Sequence, residues 1–244
     1  MRRLFAVGMA FVWLSAQPLA QHARDASEEA HFQPVEAVSV SDVTPPFSST
    51  ACGTVVMDVR VSQKGEVTDI EVRRTIQSLT ESAVRSVRAW TFAPAMLNGR
   101  PVILRITVAI TFNPASEQGA TPSLPPIIHQ DDQSRIQSSF QPAEVTFATL
   151  PRYPPEAASI TPTVALEATV NKAGKAKSTK VLRDVPPFTA MAIQAVGDWR
   201  FIPATLDGRP LESEVVLAFS FRQPASGPLG PPFNTCIPLE LTCN

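Results

Sequence analysis

The sequence has few of the side chains that usually carry out catalysis. The whole chain contains three histidines, three cysteines and one tyrosine. His22, His31 and His129 fall outside the regions with regular patterns, and no nucleophile accompanies them. Glycine is scarce too, and no Gly-rich phosphate loop, paired-carboxylate motif or metal-ligand spacing occurs. We therefore expect no enzyme, no bound cofactor and no metal site.

The chain also lacks an excess of charge of either sign. It has 21 Lys and Arg against 22 Asp and Glu, which gives a net charge of -1. Nucleic-acid-binding proteins usually carry a clear basic excess, so we expect no nucleic-acid partner. The hydrophobic share of 44% is enough to build ordinary cores, which excludes a chain that is disordered throughout.

No hydrophobic run reaches the ~20 residues that are needed to span a bilayer. The longest, Leu4 to Leu14, follows Arg2 and Arg3 and precedes several small residues. A basic start, a short apolar stretch and small residues predict a secretory signal peptide over residues 1–20. A short uncleaved anchor over the same residues is the alternative. In either case the rest of the chain is exported.

Export to an oxidising compartment makes disulfide bonds possible. Cys236 and Cys243 are close enough in sequence to close a small loop near the C-terminus, and they are the candidate pair. Cys52 is then interpreted as a half-buried thiol at the entrance of a strand. Pairing of Cys52 with the tail or with another molecule is the alternative.

Proline, in contrast, is abundant, and the sequence repeats itself. Residues 43–113 align on 152–222 without a gap, with about 21 identities in 71 pairs. The period of about 109 residues suits two independent domains better than the units of a solenoid. The strongest matches are Trp90 with Trp199, Phe92 with Phe201, Pro94 with Pro203, and Gly99-Arg100-Pro101 with Gly208-Arg209-Pro210.

Each copy has the pattern of two strands, a helix and a last strand. In copy 1 Thr54 to Ser62 alternates between apolar and polar residues, which predicts a half-buried strand. A turn around Gly65 leads to a return strand with a bulge between Val67 and Ile70. A helix should then begin with a capping box at Ser78 and Glu81. The predicted elements that follow are an apolar helix stripe of Leu79, Ala83, Val87 and Trp90, a turn at Asn98-Gly99, and a last strand from Val102 to Phe112.

Copy 2 shows the same series, with a turn at Gly174, a helix from Phe188 to Trp199 and a last strand from Leu211 to Phe221. The predicted fold class is therefore α+β, with two tandem β-β-α-β domains. Each domain is expected to be a three-stranded antiparallel sheet with one helix packed on it. We interpret the Trp-x-Phe-x-Pro corners and the Gly turns as architecture, since they fix the end of each helix to the last strand.

The domain boundaries follow from the repeat and from composition. Domain 1 is predicted over 43–114 and domain 2 over 152–223. The connecting segments are acidic, or rich in proline, or both. They are an acidic arm over 21–42, a Pro-rich linker over 115–151, in which residues 145–147 are a candidate short strand, and a Pro-rich tail over 224–244.

This pattern resembles the C-terminal domain of the TonB family. The resemblance is carried by Tyr153-Pro154-Pro155, the hairpin around Gly174, the series Trp199-Arg200-Phe201-x-Pro203-Ala204 and the turn Asp207-Gly208-Arg209-Pro210. Copy 1 repeats most of these elements in the same order. The resemblance therefore covers nearly all of the region with regular patterns.

The resemblance implies a function in energy-dependent transmembrane transport. The family couples the proton-motive force of the inner membrane to outer-membrane transporters, and its periplasmic domain captures a short transporter segment as an added strand. It implies a periplasmic protein, or one anchored in the inner membrane that works with a motor complex if its N-terminal helix is uncleaved. The last strands are the expected sheet edges for a protein or peptide partner. The candidate partner-binding residues are Tyr153, Pro154, Leu211, Val215, Leu217, Phe219, Val102, Ile106 and Val108.

A second interpretation makes the protein structural. Exposed sheet edges in tandem copies can pair with each other or with a second chain, because the neighbouring copy is present at a high effective concentration. The protein would then be an exported, non-catalytic double domain, able to form a homodimer, with no part in transport.

Overall fold

The computed structural model describes residues 32–46, 49, 51–113, 139–154 and 160–222. Both copies of the repeat lie in one compact unit, which covers 31–244. The predicted signal peptide, most of the linker, and Cys236 and Cys243 in the tail lie outside the described residues. Within the described ranges, no helix is long and apolar enough to cross a membrane.

The described residues form two helices and sixteen short or long strands, in the mixed α and β arrangement that the sequence predicts. The helices are α1 (Thr80–Arg88) and α2 (Phe188–Asp198). The strands are β1 (Phe32–Gln33), β2 (Glu36–Ser39), β3 (Gly53–Val61), β4 (Val67–Arg74), β5 (Thr91–Ala93), β6 (Ala95–Leu97), β7 (Arg100–Val102), β8 (Leu104–Asn113), β9 (Phe140–Gln141), β10 (Glu144–Phe147), β11 (Thr163–Val170), β12 (Ala176–Arg183), β13 (Arg200–Ile202), β14 (Thr205–Leu206), β15 (Arg209–Pro210) and β16 (Ser213–Phe221).

The two predicted three-stranded sheets are joined into a single sheet of six strands, in the order β12-β11-β16-β8-β3-β4. Each copy supplies three neighbouring strands, which pair antiparallel as the sequence predicts. The two halves meet where the last strand of one copy pairs with the last strand of the other. That central pair, β8 with β16, is parallel. The expectation of two separate sheets is therefore wrong.

The two helices cover opposite faces of this sheet. Alternate residues of a strand point to opposite faces, and Val55 and Met57 pack in the core that contains α1, whereas Val56 packs in the core that contains α2. Copy 2 contributes to the α1 core in turn, through Val216 and Ala218. Each core therefore contains residues of both copies, so the copies support each other instead of folding around independent cores.

The segment that precedes each copy forms strands of its own. In the predicted acidic arm, β1 pairs with β6 and β2 pairs with β5. At the end of the predicted linker, β9 pairs with β14 and β10 pairs with β13, and β10 confirms the short strand that was expected at 145–147. These segments are thus parts of the fold as well as connections.

Each preceding segment also reaches across to the other copy. The backbone N–H of Ala37, in the segment before copy 1, donates to Oε1 of Glu167 in copy 2 at 2.7 Å. The mirror arrangement joins Asn113 of copy 1 to the segment before copy 2, with Nδ2 donating to the carbonyl of Pro151 at 2.9 Å. The two copies are therefore interlocked by reciprocal contacts as well as by the sheet.

The turns that bring the chain into the last strands match the prediction. Asn98 and Asp207 have φ values of 51° and 50°, and Gly99 and Gly208 both have φ of 75°. Two successive residues with positive φ define the tight turn that Asn-Gly and Asp-Gly favour. The bulge in the return strand of copy 1 is also confirmed, since the register shifts between Asp69 and Val67.

The predicted capping box is wrong. Helix α1 begins at Thr80, and its N-cap residue is Leu79, which provides no side-chain cap. Oγ of Ser78 bonds Oγ of Ser49 at 2.8 Å instead. The hydroxyl of Thr80 serves the helix start by accepting from the backbone N–H of Ile76 at 3.0 Å. Thr189 repeats this in copy 2, because its hydroxyl accepts from the N–H of Val185 at 2.8 Å. Thr80 and Thr189 occupy equivalent positions of the two copies. The alignment of the repeat therefore pointed to threonine as the residue that stabilises the start of each helix.

The predicted helix stripe of copy 1 is confirmed. Leu79, Ala83 and Val87 are fully buried, and Trp90 is 1% exposed. The aromatic corner residues Phe92, Trp199 and Phe201 are also buried, and Pro94 and Pro203 are half-buried beside them.

Candidate functional site at the outer strands of the sheet

The last strand of each copy is in the centre of the sheet, so the expectation that these strands are open edges is wrong. Strand β8 lies between β3 and β16, and β16 lies between β8 and β11. The parallel register places Thr107 opposite Val215 and Val108 opposite Val216, and it continues to Asn113 and Phe221. Both sides of each strand are therefore already hydrogen-bonded, and neither offers a row of free backbone groups to a partner.

The side chains proposed to contact a partner are mostly buried in the fold. Ile106, Val108, Val215, Leu217 and Phe219 are at most 3% exposed. Pro154 is buried, and Leu211 and Val102 are partly buried. Leu211 packs against the core that contains α2, whereas Val102 packs against the core that contains α1.

Tyr153 is a core residue of copy 2. It is 5% exposed, and its ring meets the rings of Phe188 and Phe221 edge-on, at centroid distances of 5.2 and 6.2 Å. Its hydroxyl donates to the carbonyl of Ile160 at 3.1 Å, and burial raises the pKa of the phenol. Tyr153 thus anchors the entrance of copy 2 on the first residue of α2 and on the end of β16.

Two strands of the six-stranded sheet have a neighbour on one side only, within the part of the chain that the structure describes. They are β4, beside β3, and β12, beside β11. Lys177, Ser178, Lys180 and Val181 of β12 are exposed, and Val181 is an apolar residue with 41% exposure. Strand β4 is more covered, with only Thr68 and Asp69 exposed. These outer strands are the candidate site for strand addition.

A charge network ties the outer strand β12 to the segment before copy 1. Glu167, which is 3% exposed, accepts from the backbone N–H of Ala37 at 2.7 Å through one oxygen and pairs with Nζ of Lys180 at 3.1 Å through the other. Lys180 also pairs with Glu36 at 3.2 Å. The hydrogen bond and the charge of Glu167 raise the pKa of Lys180.

Near this charge network, the carboxylate of Glu214 has few favourable contacts to offset its burial. Burial raises the pKa of Glu214, and the charges of Glu167 and Glu36 add to the effect, against a hydrogen bond that Oγ1 of Thr169 donates at 3.1 Å. Together with parts of β12, these groups line an open pocket of about 310 Å³ beside the outer strand. Side chains of an added strand would find room there, next to both positive and negative groups.

The matching corner of copy 1 has the opposite arrangement of charges. Glu71 of β4 pairs with Arg105 of β8, whereas the equivalent residues of copy 2 are Lys180 of β12 and Glu214 of β16. Burial acts against ionisation of Glu71, but hydrogen bonds from Arg105 and Arg73 lower its pKa overall. The two outer strands therefore have the same backbone arrangement and differ in charge. At these equivalent positions, the outer strand carries a glutamate, Glu71, in copy 1 and a lysine, Lys180, in copy 2.

Cys52 is disulfide-bonded, so its interpretation as a thiol is wrong. The chain contains only two other cysteines, Cys236 and Cys243, and both lie outside the described residues. In the described ranges no group of three or more His, Cys, Asp or Glu side chains is arranged to hold a metal ion.

The structure is thus a tandem α+β protein whose two last strands pair with each other and whose main sheet ends in two outer strands. The model of one family, described as the Gram-negative bacterial TonB protein C-terminal, matches residues 49–114 and 149–223. The chain therefore belongs to this family, with two tandem copies of its domain. No curated protein and no solved structure matches the chain. Domains of this family are non-enzymatic, bind proteins such as outer-membrane transporters and belong to the cell envelope. Membership indicates a TonB-like protein in transport energy transduction.

Proposed function

We propose that this chain holds an extended segment of a partner protein by adding it as a strand to an outer strand of the six-stranded sheet. The observation that carries the proposal is the sheet order, which gives β4 and β12 a single neighbour each among the described residues. An outer strand presents unpaired N–H and C=O groups, which the backbone of an extended peptide satisfies. Strand β12 is the preferred edge, because more of its side chains are exposed.

The charges near β12 favour a partner segment with acidic residues. Lys172 and Lys175 lie in the hairpin that leads into β12, and neither has an ion pair among the described residues. Lys177 pairs with Glu212 at 3.0 Å on the surface, a contact that water screens and that a partner carboxylate can replace at little cost. The exposed Val181 adds an apolar contact for an alternate residue of the segment.

The proposed partners are TonB-dependent outer-membrane transporters, and the proposed location is the periplasm, after removal of a signal peptide over 1–20. If the N-terminal segment is retained as an anchor, the protein would instead face the periplasm from the inner membrane and act with a motor complex there. Force transmission needs that anchor, whereas binding by strand addition does not.

The test uses synthetic peptides that carry the TonB-box segment of outer-membrane transporters, together with the isotope-labelled protein starting at Gln21. We expect amide chemical shifts of β12 to change on addition of peptide, with the shifts of β8 and β16 unchanged. A matched peptide in which alternate backbone nitrogens are methylated keeps every side chain and loses main-chain donors. It should bind at least tenfold more weakly, since an added strand depends on those donors.

Peptide-induced shifts confined to β8 and β16, or equal binding of the methylated peptide, would exclude strand addition on an outer strand. Charge is tested separately by Lys175→Gln, which should weaken an acidic peptide and leave a neutral one unaffected. The change at Lys175 is on the surface, so it should leave the Tm within a degree or so of the parent value.

The second candidate function is structural, and the pairing of the two last strands with each other favours it. In this case the last strand of each copy occupies the edge of the other copy's sheet, where a transporter segment was expected to bind. No transporter segment is then bound. A double domain without peptide affinity, with a mass that rises with protein concentration, would support this alternative. A monomer that binds transporter peptides would contradict it.

A further inference from the structure

Arg222, directly after β16, has a cationic group with two unused donors. Its Nη1 donates to the backbone carbonyl of Ser49. Its Nε and Nη2 are buried and have no hydrogen-bond partner in the described structure. Buried nitrogen donors are nearly always paired, because an unpaired donor loses its hydration without replacement. A charged donor loses more, so two such atoms on one side chain mark an incomplete site.

The two unused donors have the right arrangement for one particular ligand. Nε and Nη2 lie on the same side of the planar guanidinium, and their N–H bonds run nearly parallel. A carboxylate matches that spacing with its two oxygens and accepts both bonds at once. Burial lowers the pKa of Arg222, and no neighbouring acidic group opposes the effect among the described residues. The guanidinium therefore has no counter-charge of its own in that part of the chain.

Copy 1 shows what a completed position looks like. The equivalent of Arg222 in copy 1 is Asn113, whose Nδ2 donates to the carbonyl of Pro151 at 2.9 Å and which is 2% exposed. A neutral amide is satisfied there by the protein alone. In copy 2 this position holds Arg222, whose side chain is longer and charged. A further group is needed to accept hydrogen bonds from its Nε and Nη2.

We propose that Arg222 is a binding site for a carboxylate, which its Nε and Nη2 hold in a bidentate pair. This site is separate from the outer strands, since Arg222 follows the central strand β16. The carboxylate has two candidate sources. One is another molecule, and the other is the tail of this chain, which begins at the next residue and contains Glu240.

Thermal unfolding of the exported chain tests the site, with acetate as the probe and chloride at the same ionic strength as its reference. Four proteins are compared. They are the parent chain, Arg222→Asn, the surface control Arg152→Gln, and Glu240→Gln. A ligand that binds only the folded state raises the Tm, and acetate at about ten times its Kd should add about 3 °C.

If the carboxylate comes from another molecule, acetate raises the Tm of the parent and of Arg152→Gln and leaves Arg222→Asn at its chloride value. If it comes from the tail, the parent shows no response to acetate, and Glu240→Gln has a lower Tm that acetate restores. Both results support the site and name its source. An equal acetate response in Arg222→Asn, or no response in any of the four proteins, overturns the proposal.

Discussion

Val108 lies directly opposite Val216 in the parallel pair at the centre of the sheet, and both side chains are fully buried. The two residues belong to the last strands of different copies, so one contact joins the halves of the duplication. The backbone groups that would otherwise form two free edges are used up in this pair. Any partner that adds a strand to the sheet must therefore use the outer strands.

The turn glycines predict a sharp contrast in stability. A Cβ at Gly174 would lie 1.9 Å from the carbonyl oxygen of Phe201, whereas a Cβ at Gly208 would meet nothing within 4 Å. Both residues have positive φ, so Gly208→Ala should cost about 1–2 kcal/mol in backbone strain alone. Gly174→Ala adds a backbone clash and should cost several times more, or prevent folding. Urea unfolding of both variants measures the difference, and equal losses would contradict the close approach at Gly174.

The two corner tryptophans should respond differently to the loss of the indole N–H. Nε1 of Trp199 donates to the carbonyl of Thr149 at 3.2 Å, while Nε1 of Trp90 is buried with no hydrogen-bond partner in the described structure. Trp199→Phe loses the hydrogen bond to the carbonyl of Thr149, whereas Trp90→Phe removes an unsatisfied donor. We expect Trp199→Phe to be the more destabilising change by about 1–2 kcal/mol. A larger loss for Trp90→Phe in the same unfolding assay would contradict this.

Glu214 should make folding pH-dependent in a predictable direction. Burial raises its pKa above the value in the unfolded chain, so the folded state disfavours the ionised form. The stability associated with the protonated carboxyl is complete below about pH 4 and is lost as the pH rises through the folded-state pKa. Glu214→Gln should therefore raise the Tm at pH 7 and leave it unchanged near pH 4.

The matched control for this change is Glu212→Gln, which alters a nearby exposed carboxylate in a surface ion pair with Lys177. Its effect should be small at both pH values. A higher Tm for both variants at pH 7 would point to net charge as the cause, and an unchanged Tm for Glu214→Gln would show that the carboxylate is not penalised by burial.

The disulfide of Cys52 predicts a specific peptide map. If Cys52 is bonded within the chain, its partner is Cys236 or Cys243, and one tail cysteine keeps a free thiol. Digestion without reduction should yield a peptide around Cys52 linked to a tail peptide, with one free thiol per chain. A linked pair of Cys236 and Cys243, as the sequence spacing suggested, would exclude this arrangement.

The elements within each copy could be predicted from the sequence because their signals are local. Alternation indicated β3, the 3.6-residue spacing indicated the stripe ending at Trp90, and Asn98-Gly99 indicated the turn. Pairing between the two copies is a long-range contact, and no local sequence pattern predicts it. A partial signal was nevertheless present, since Val215 to Phe219 is apolar at every position, which is typical of a strand buried on both faces.

The preceding segments also carried a signal that sequence interpretation missed. Phe32-Gln33-Pro34 returns as Phe140-Gln141-Pro142, with Glu36 and Glu144 after them. The offset is one position shorter than in the two domains, so an alignment without gaps does not include it. In the structure Phe32 and Phe140 are in ring contact at 6.0 Å, and the strands that follow occupy matching places. The unpaired donors of Arg222 could not be predicted from the sequence, because the hydrogen-bond partners of a side chain depend on the folded structure.

Hydrogen exchange of the backbone amides tests the central claim most directly, in the free protein without any ligand. The account predicts that the amides of β8 and β16 exchange slowest, together, at the free energy of global unfolding, since they form the middle of one sheet. Amides on the open side of β4 and β12 should exchange much faster. Fast exchange of β8 and β16, or separate unfolding free energies for the two copies, would contradict a single six-stranded sheet closed by its last strands.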